Sequence, residues 1–408
     1  MTTIPPAFAA DPHRYTTPRL IFSGCLLLCW VNVVLVLKIY LCDRWVYDAN
    51  GIGILADFVN VWTAGQLALD GHPAQAWDWI VQKQLEVAIL KRDFDGYFAW
   101  HYPPPFLFVA ALLAQFPYSV AFFGWGFVSM LPYLVVMRAI VGRSFGLVLA
   151  AAFPALVINT TIGQNGFLTA ALIGGTLYLL PTRPVLAGIC LGLLSYKPQY
   201  GLLFPFALIA ASQWATFVTA GVVTVVLAFA SWLAFGTDSW QAFLHWMPMF
   251  SQAFLTEGQA PWWKLQSIFA LVRYFGGSEN MAWTAQCIMV TAVATSLVVL
   301  WRSHVRYSLK AAALALGTLL TTPYLFIYDM MVLAIPVAYL VRIGLARGFR
   351  PYELPALACA SVLILSFLFL GLPVGLAANL IVAGLILRRA GLSWRRSQAA
   401  PTALAAAA

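Results

Sequence analysis

What this sequence of 408 residues lacks most is charge. Asp, Glu, Lys and Arg make up 9% of it, against 62% hydrophobic side chains and a mean hydropathy of +0.84. So few polar side chains cannot cover a soluble globule, so the chain belongs in a membrane. Cysteine is sparse as well. Cys25, Cys29, Cys42, Cys190, Cys287 and Cys359 lie mostly inside apolar segments and form no C-x-x-C pair, so neither a disulfide framework nor a zinc site is indicated. No small-residue cleavage site follows the first apolar run, which points to an uncleaved signal anchor. No internal repeat is evident. The net charge of +9 resides largely in arginines at the ends of apolar segments, where it orients helices at anionic lipid headgroups rather than binding nucleic acid.

The long apolar runs carry almost no charge and predict helices, which satisfy their own backbone in lipid. The expected fold is an all-α polytopic membrane protein of about twelve transmembrane helices. Arg14 and Arg19 precede the first run, 20–42, and place the N-terminus (1–19) in the cytoplasm. The first outer loop, 43–118, then holds Asp43, Asp48, Asp57, Asp70, Asp78, Glu86, Asp93 and Asp95, eight of the fourteen acidic residues. Within it, Phe58, Val61, Trp62, Gly65 and Leu69 recur at helical spacing until Asp70-Gly71-His72-Pro73 stops them, predicting an amphipathic helix laid on the bilayer with Asp57 at its start. Residues 103–116 are too short to cross and are expected to be interfacial or re-entrant. With that choice Arg138, Arg143, Arg183, Arg302, Arg306, Arg342, Arg347 and Arg350 all fall on the cytoplasmic side. The run 185–211 is interrupted by Lys197-Pro198-Gln199, predicting two short helices that meet near the outer face. A second outer loop covers 238–276. The membrane domain, 20–390, ends at Arg388, Arg389, Arg395 and Arg396, and a low-complexity tail, 391–408, is expected to be disordered.

This topology gathers polar groups at the outer face: Asp57, His101-Tyr102, Gln164-Asn165, Lys197, and Tyr324, Tyr328 and Asp329. Ionisable groups among apolar helices are costly, so each is a candidate site residue. Each also has a plainer reading. Asp57 and Asp329 sit where helix caps belong, Lys197 can snorkel to the interface, Gln164-Asn165 can be a polar turn, and the tyrosines can be interface-belt residues. Asp93-Phe94-Asp95 has the form of the D-x-D metal signature of nucleotide-sugar transferases. On the outer side, where nucleotide sugars are absent, it reads as a solvated acidic stretch, and no metal is expected.

The pieces A-D-F-V-N-V-W-T-A-G (56–65), H-Y-P-P-P (101–105), I-G-Q-N-G-F (162–167), S-Y-K-P-Q (195–199) and T-P-Y-L-F-I-Y-D (322–329) resemble, in their order, glycosyltransferase family 87. The resemblance spans about residues 20–345. It implies the GT-C superfold and an inverting hexosyltransferase, with mannosyltransferases as the best-known members. The donor would be a polyprenyl-phosphate sugar and the acceptor lipid-linked or a glycan, at the extracytoplasmic face of the cell (cytoplasmic) membrane. No cofactor beyond the donor substrate is implied, and the partners are membrane lipids, donor and acceptor. On this reading Asp57 is the general base, and Lys197 and His101 meet the donor phosphate, with Lys264 and Arg273 as further candidates. Trp62, Tyr102, Gln164, Asn165, Tyr324, Tyr328 and Asp329 line the substrate site, with Trp100, Trp262 and Trp263 available for stacking. Some relatives carry a histidine before the tyrosine-aspartate pair, where this chain has Tyr324-Leu325-Phe326-Ile327. The rival class is a transporter or flippase of lipid-linked sugar. It would call for paired repeats and midplane charges.

Overall fold

A computed structural model describes residues 13–142 and 144–405, with side chains from 19 to 391 apart from residue 143. The charges of Arg14, Arg143, Arg395 and Arg396 lie outside the described side chains. Seventeen α-helices follow in order: α1 (His13–Leu41), α2 (Phe58–Leu69), α3 (Trp79–Leu90), α4 (Leu107–Ala114), α5 (Tyr118–Val141), α6 (Phe145–Ala151), α7 (Ala155–Ile162), α8 (Gly166–Leu179) and α9 (Pro184–Leu193). Then come α10 (Phe204–Ala210), α11 (Trp214–Ser251), α12 (Ile268–Tyr274), α13 (Glu279–Arg302), α14 (Tyr307–Thr321), α15 (Ala334–Arg347), α16 (Glu353–Leu370) and α17 (Val374–Ala405). The described residues contain no strand, and the only bridges join Tyr47 to Gly53 and Leu265 to Phe326. Helix α17 continues to Ala405, into the stretch 391–408 that the sequence alone suggests is a disordered tail.

Among the described residues seven helices are long and apolar enough to cross a membrane, and eight if the bent pair α6–α7 counts as one span. That pair bends by 64° at Pro154, whose ring and missing N–H end the α6 hydrogen-bond ladder. Two of the carbonyls in the bend, Ala151 and Phe153, take hydrogen bonds from the buried Asn32 amide of α1, at 2.9 and 3.3 Å. The α1 span, α11, α13 and α16 keep most of their apolar surface outward, towards lipid. The stretch Ile327–Arg347, by contrast, is mostly buried and forms the axis of the bundle. Lipid is as apolar as leucine, so small residues rather than greasy ones bring the spans together. Gly188 and Gly192 of α9 show this: a Cβ on either would sit 2.5 Å from Thr219 or Val223 of α11.

Helix α2 differs from the expected surface helix. Nine of its twelve residues are buried, because Gly65 lets the α4 backbone at Ala110 come into direct contact. Two of its polar side chains then cap the end of the α4 segment: Gln66 donates to the Ala114 carbonyl at 2.6 Å and Trp62 to that of Phe116 at 3.0 Å. Periodicity cannot reveal a second layer that arrives from forty residues downstream, so one apolar face looked like the whole story. The interruption at Lys197 forms as expected, with α9 giving way to two short 3-10 turns, Leu194–Tyr196 and Pro198–Tyr200, before α10.

Candidate functional site

The site is assembled at one end of the helices, opposite the ends that carry Arg138, Arg183, Arg302, Arg306 and Arg347. Asp57 immediately precedes α2. A capping role would show as a bond from its carboxylate to the first free N–H groups, but no side-chain cap bond forms. The carboxylate instead receives the Gln164 side-chain amide, Nε2 to Oδ2, at 3.0 Å across 107 residues.

The orientation of that amide is determined by its surroundings. Gln164 Oε1 accepts from the Tyr102 hydroxyl at 3.3 Å and from the Asn165 backbone N–H at 3.2 Å, so only the NH₂ end can face Asp57. Asn165 Nδ2 in turn donates to the Tyr102 hydroxyl at 2.7 Å. Tyr102, Gln164 and Asn165 are buried, and together they hold one oxygen of the carboxylate. The polar turn between α7 and α8 is therefore engaged with the Asp57 carboxylate. Its glycines explain how it gets there. Gly163 has φ +68°, and a Cβ on it would lie 2.7 Å from Phe58, next to Asp57; one on Gly166 would lie 2.5 Å from the Tyr328 carbonyl.

Tyr328 leads to the second half of the site. Asp329 makes no cap bond, and its Oδ1 accepts from Lys197 Nζ at 2.6 Å, both residues being buried. The ammonium also stands 5.3 Å from the Tyr328 ring centre and 5.8 Å from that of Tyr200. Lys197 does not snorkel outward. The break between α9 and α10 turns it inward, which is where a broken helix is tolerated in lipid.

Asp57 is half-buried and His101 exposed, yet protein surrounds both, so their free surface faces a recess. Burial raises the Asp57 pKa, opposed by the Gln164 hydrogen bond and then by the charges of Lys264 and Lys197, while Asp329 adds to the rise. His101 is pushed down to about 4 by burial and by the Lys197 charge. It is neutral at physiological pH. Its Nδ1–H donates to the Ala99 carbonyl at 3.2 Å, so Nε2 is left as an acceptor. The ring stacks on Tyr102 at 4.5 Å and meets Phe250 of α11 edge-on at 5.7 Å.

Other candidates stand elsewhere. The Trp62 indole is committed to Phe116 and packs against Tyr118. Tyr324 is half-buried, with Ser251 as its hydrogen-bond partner. Trp100 is buried between Tyr102 and Phe106, Trp263 lies against Phe367, and Arg273 stacks on Trp262 while holding the Thr256 and Gly277 carbonyls. Asp93 pairs with Lys83 at 3.8 Å on the surface. Among the described residues no cluster of three or more His, Cys, Asp or Glu side chains could hold a metal. An open depression of about 380 Å³ between α3 and Asp93–Tyr97 contains none of the site residues. Sequence reasoning passed over Glu86, a buried carboxyl on α3 close enough for the Asp57 charge to help raise its pKa; its regular helical spacing gave no signal.

The sequence profile of glycosyltransferase family 87 matches residues 100–323, more than half of the chain. The protein belongs to glycosyltransferase family 87. The match covers the turn that holds Tyr102, the Gln164–Asn165 pair and Lys197, and it begins after Asp57 and ends before Asp329. No curated protein and no solved structure matches the chain.

Proposed function

We propose that this family 87 glycosyltransferase is an inverting hexosyltransferase of the cell membrane. It moves a sugar such as mannose from a polyprenyl phosphate to a lipid-linked or glycan acceptor at the extracytoplasmic face. The observation that carries the reading is the Asp57 carboxylate. It makes no side-chain cap bond, is held by Gln164, and lies within reach of the charges of Lys264 and Lys197. In the step, the acceptor oxygen bonds to the anomeric carbon as the carbon–oxygen bond to phosphate breaks on the opposite face. The acceptor proton passes to Asp57 and the electron pair leaves on the phosphate. A carboxylate whose pKa is raised by burial is a stronger base than one in water. Lys197, fixed by Asp329, supplies positive field for the growing phosphate charge. Neutral His101 offers a hydrogen-bond acceptor to a sugar hydroxyl, and Tyr102, Asn165 and Tyr328 complete the wall.

Twelve crossings follow if four of the five shorter apolar helices span with the seven long ones and the bent pair, leaving Pro104–Ala114 beneath the outer surface. The arginine-bearing ends then face the cytoplasm, which puts the recess outside. The test is transfer from radiolabelled polyprenyl-phosphate sugars into membrane lipids. Asp57→Asn should lose at least about a hundredfold in rate, the low end for a general base. Near-normal transfer by that variant would remove the mechanism.

A further inference from the structure

Lys197 is poorly placed to be the direct ligand of an incoming phosphate. It is buried, its ammonium is held by Asp329 at 2.6 Å, and pulling it away to meet a ligand would strand a carboxylate in the interior. A lipid phosphate arriving from the membrane needs a cation that is free, accessible and at the border between the recess and the lipid.

Lys264 meets all three conditions. It ends the short 3-10 turn Trp262–Lys264, is exposed, and has no carboxylate partner among the described residues. Its backbone is held firmly even so. Two residues on, fully buried Gln266 donates its side-chain amide to the Trp263 and Lys264 carbonyls at 2.8 and 3.2 Å. The Gln266 side-chain oxygen accepts from the Gly375 N–H at 2.7 Å, tying the turn to α17. Its backbone N–H donates to the Leu325 carbonyl at 2.5 Å. Leu265 bridges Phe326, the Phe326 ring stacks on Tyr328 at 5.4 Å, and Tyr328 lies under the Lys197 ammonium. Lys264 therefore stands one bridge and one ring stack from the buried pair. On its other side are Trp263 at 5.7 Å and, against Trp263, Phe367 of α16, whose outward neighbours Phe369 and Leu370 are exposed and apolar.

We infer that Lys264 is the phosphate ligand of this enzyme. It receives the monophosphate of a polyprenyl lipid at the rim of the recess, while the Lys197–Asp329 pair acts behind it as a fixed wall. The inference rests on the polyprenyl-phosphate reading above. An amphiphile with its chain along Trp263 and α16 and its head at Lys264 presents its phosphate between lipid and Asp57, and the Lys264 charge already acts on Asp57. An ammonium on a flexible stem over a rigid turn can follow the phosphate as its charge grows and its sugar leaves.

The experiment is lipid binding to the purified full-length protein, read by native mass spectrometry. Three ligands are compared: a polyprenyl monophosphate, the polyprenol of the same chain length, and phosphatidylglycerol. Wild type should prefer the polyprenyl phosphate to the polyprenol. Lys264→Gln should lose that preference by about ten- to a hundredfold, the range for one charge-assisted hydrogen bond, with unchanged melting temperature. Lys264→Arg should keep most of it. In transfer assays Lys264→Gln should raise the KM for donor and leave that for acceptor unchanged. Wild-type selectivity retained in Lys264→Gln would overturn the inference and leave the donor reading standing. Loss confined to phosphatidylglycerol would also overturn it, assigning Lys264 to bulk headgroups. A wild type that fails to distinguish polyprenyl phosphate from polyprenol would overturn the donor reading and the inference with it.

Discussion

Two buried ion pairs, one at each end of the bundle, have the same chemistry and different company. At the arginine-bearing end, Arg389 of α17 reaches Glu353 of α16 through both guanidinium edges: Nε donates to Oε1 at 2.6 Å and a terminal nitrogen to Oε2. The Arg350 N–H adds a bond to Oε2 at 2.8 Å, and Arg389 also donates to the Gly348 carbonyl at 3.3 Å. Both carboxylate oxygens are engaged, as a structural joint requires. At the other end Lys197 and Asp329 share one contact, and the rest of the ammonium faces two tyrosine rings. The saturated pair has nothing left to offer a ligand. The unsaturated one keeps donor capacity, which is what a candidate site requires and a structural joint does not.

The comparison can be broken most forcefully by removing one partner at each end. Lys197→Met and Arg389→Met should each cost about 3–5 kcal/mol of stability, since both leave a buried carboxylate alone. The double variants separate them. Arg389→Met with Glu353→Leu should regain both stability and transfer activity, whereas Lys197→Met with Asp329→Leu should regain stability alone, as read by thermal unfolding and by the transfer assay. Equal recovery of activity at the two ends would erase the distinction.

A smaller effect sharpens the link between the buried network and Asp57. Gln164→Leu removes the hydrogen bond that favours the ionised form of Asp57, so its already raised pKa climbs further. The acidic limb of the pH profile of kcat/KM should move to higher pH, with a fall of about tenfold near neutrality, at the low end for one hydrogen bond to a charged group. An unmoved limb would detach Gln164 from the chemistry.

The smallest effect concerns Glu86, a third buried carboxyl, with no ion-pair partner among the described residues. Burial lifts its pKa from 4.5 to about 9, against a hydrogen bond from Phe98 and the charge of Lys83, with Asp57 pushing the same way as burial. Its Oε1 has no hydrogen-bond partner among the described residues. A carboxyl whose pKa is raised by folding favours the folded state below pH 4.5, and that contribution is lost as pH rises towards about 9. Glu86→Gln should therefore flatten the stability profile across that window and be no less stable than wild type at pH 8. A profile that falls as steeply as before would show that another group carries the slope.

Much of this was legible in the amino-acid order. Apolar runs, flanking arginines and the proline at 198 mark helices, their ends and the break at Lys197, because backbone satisfaction in lipid leaves few alternatives. The ordered motifs name Asp57, Tyr102, Gln164, Asn165, Lys197 and Asp329, and the fold brings all six to one end. The burial of α2, the commitment of Trp62 to Phe116 and the anchoring of the Lys264 turn to α17 through Gln266 were not legible, since each depends on a neighbour brought in by a different helix.

The sequence by itself determined that the chain is helical and lives in a membrane, and which polar residues interrupt its apolar runs. Those properties follow from composition and short-range periodicity. Only the tertiary structure decided that Asp57 meets Gln164 instead of capping its own helix, and that Lys197 is already joined to Asp329. These contacts close loops of 107 and 132 residues, and the packing of whole helices selects them.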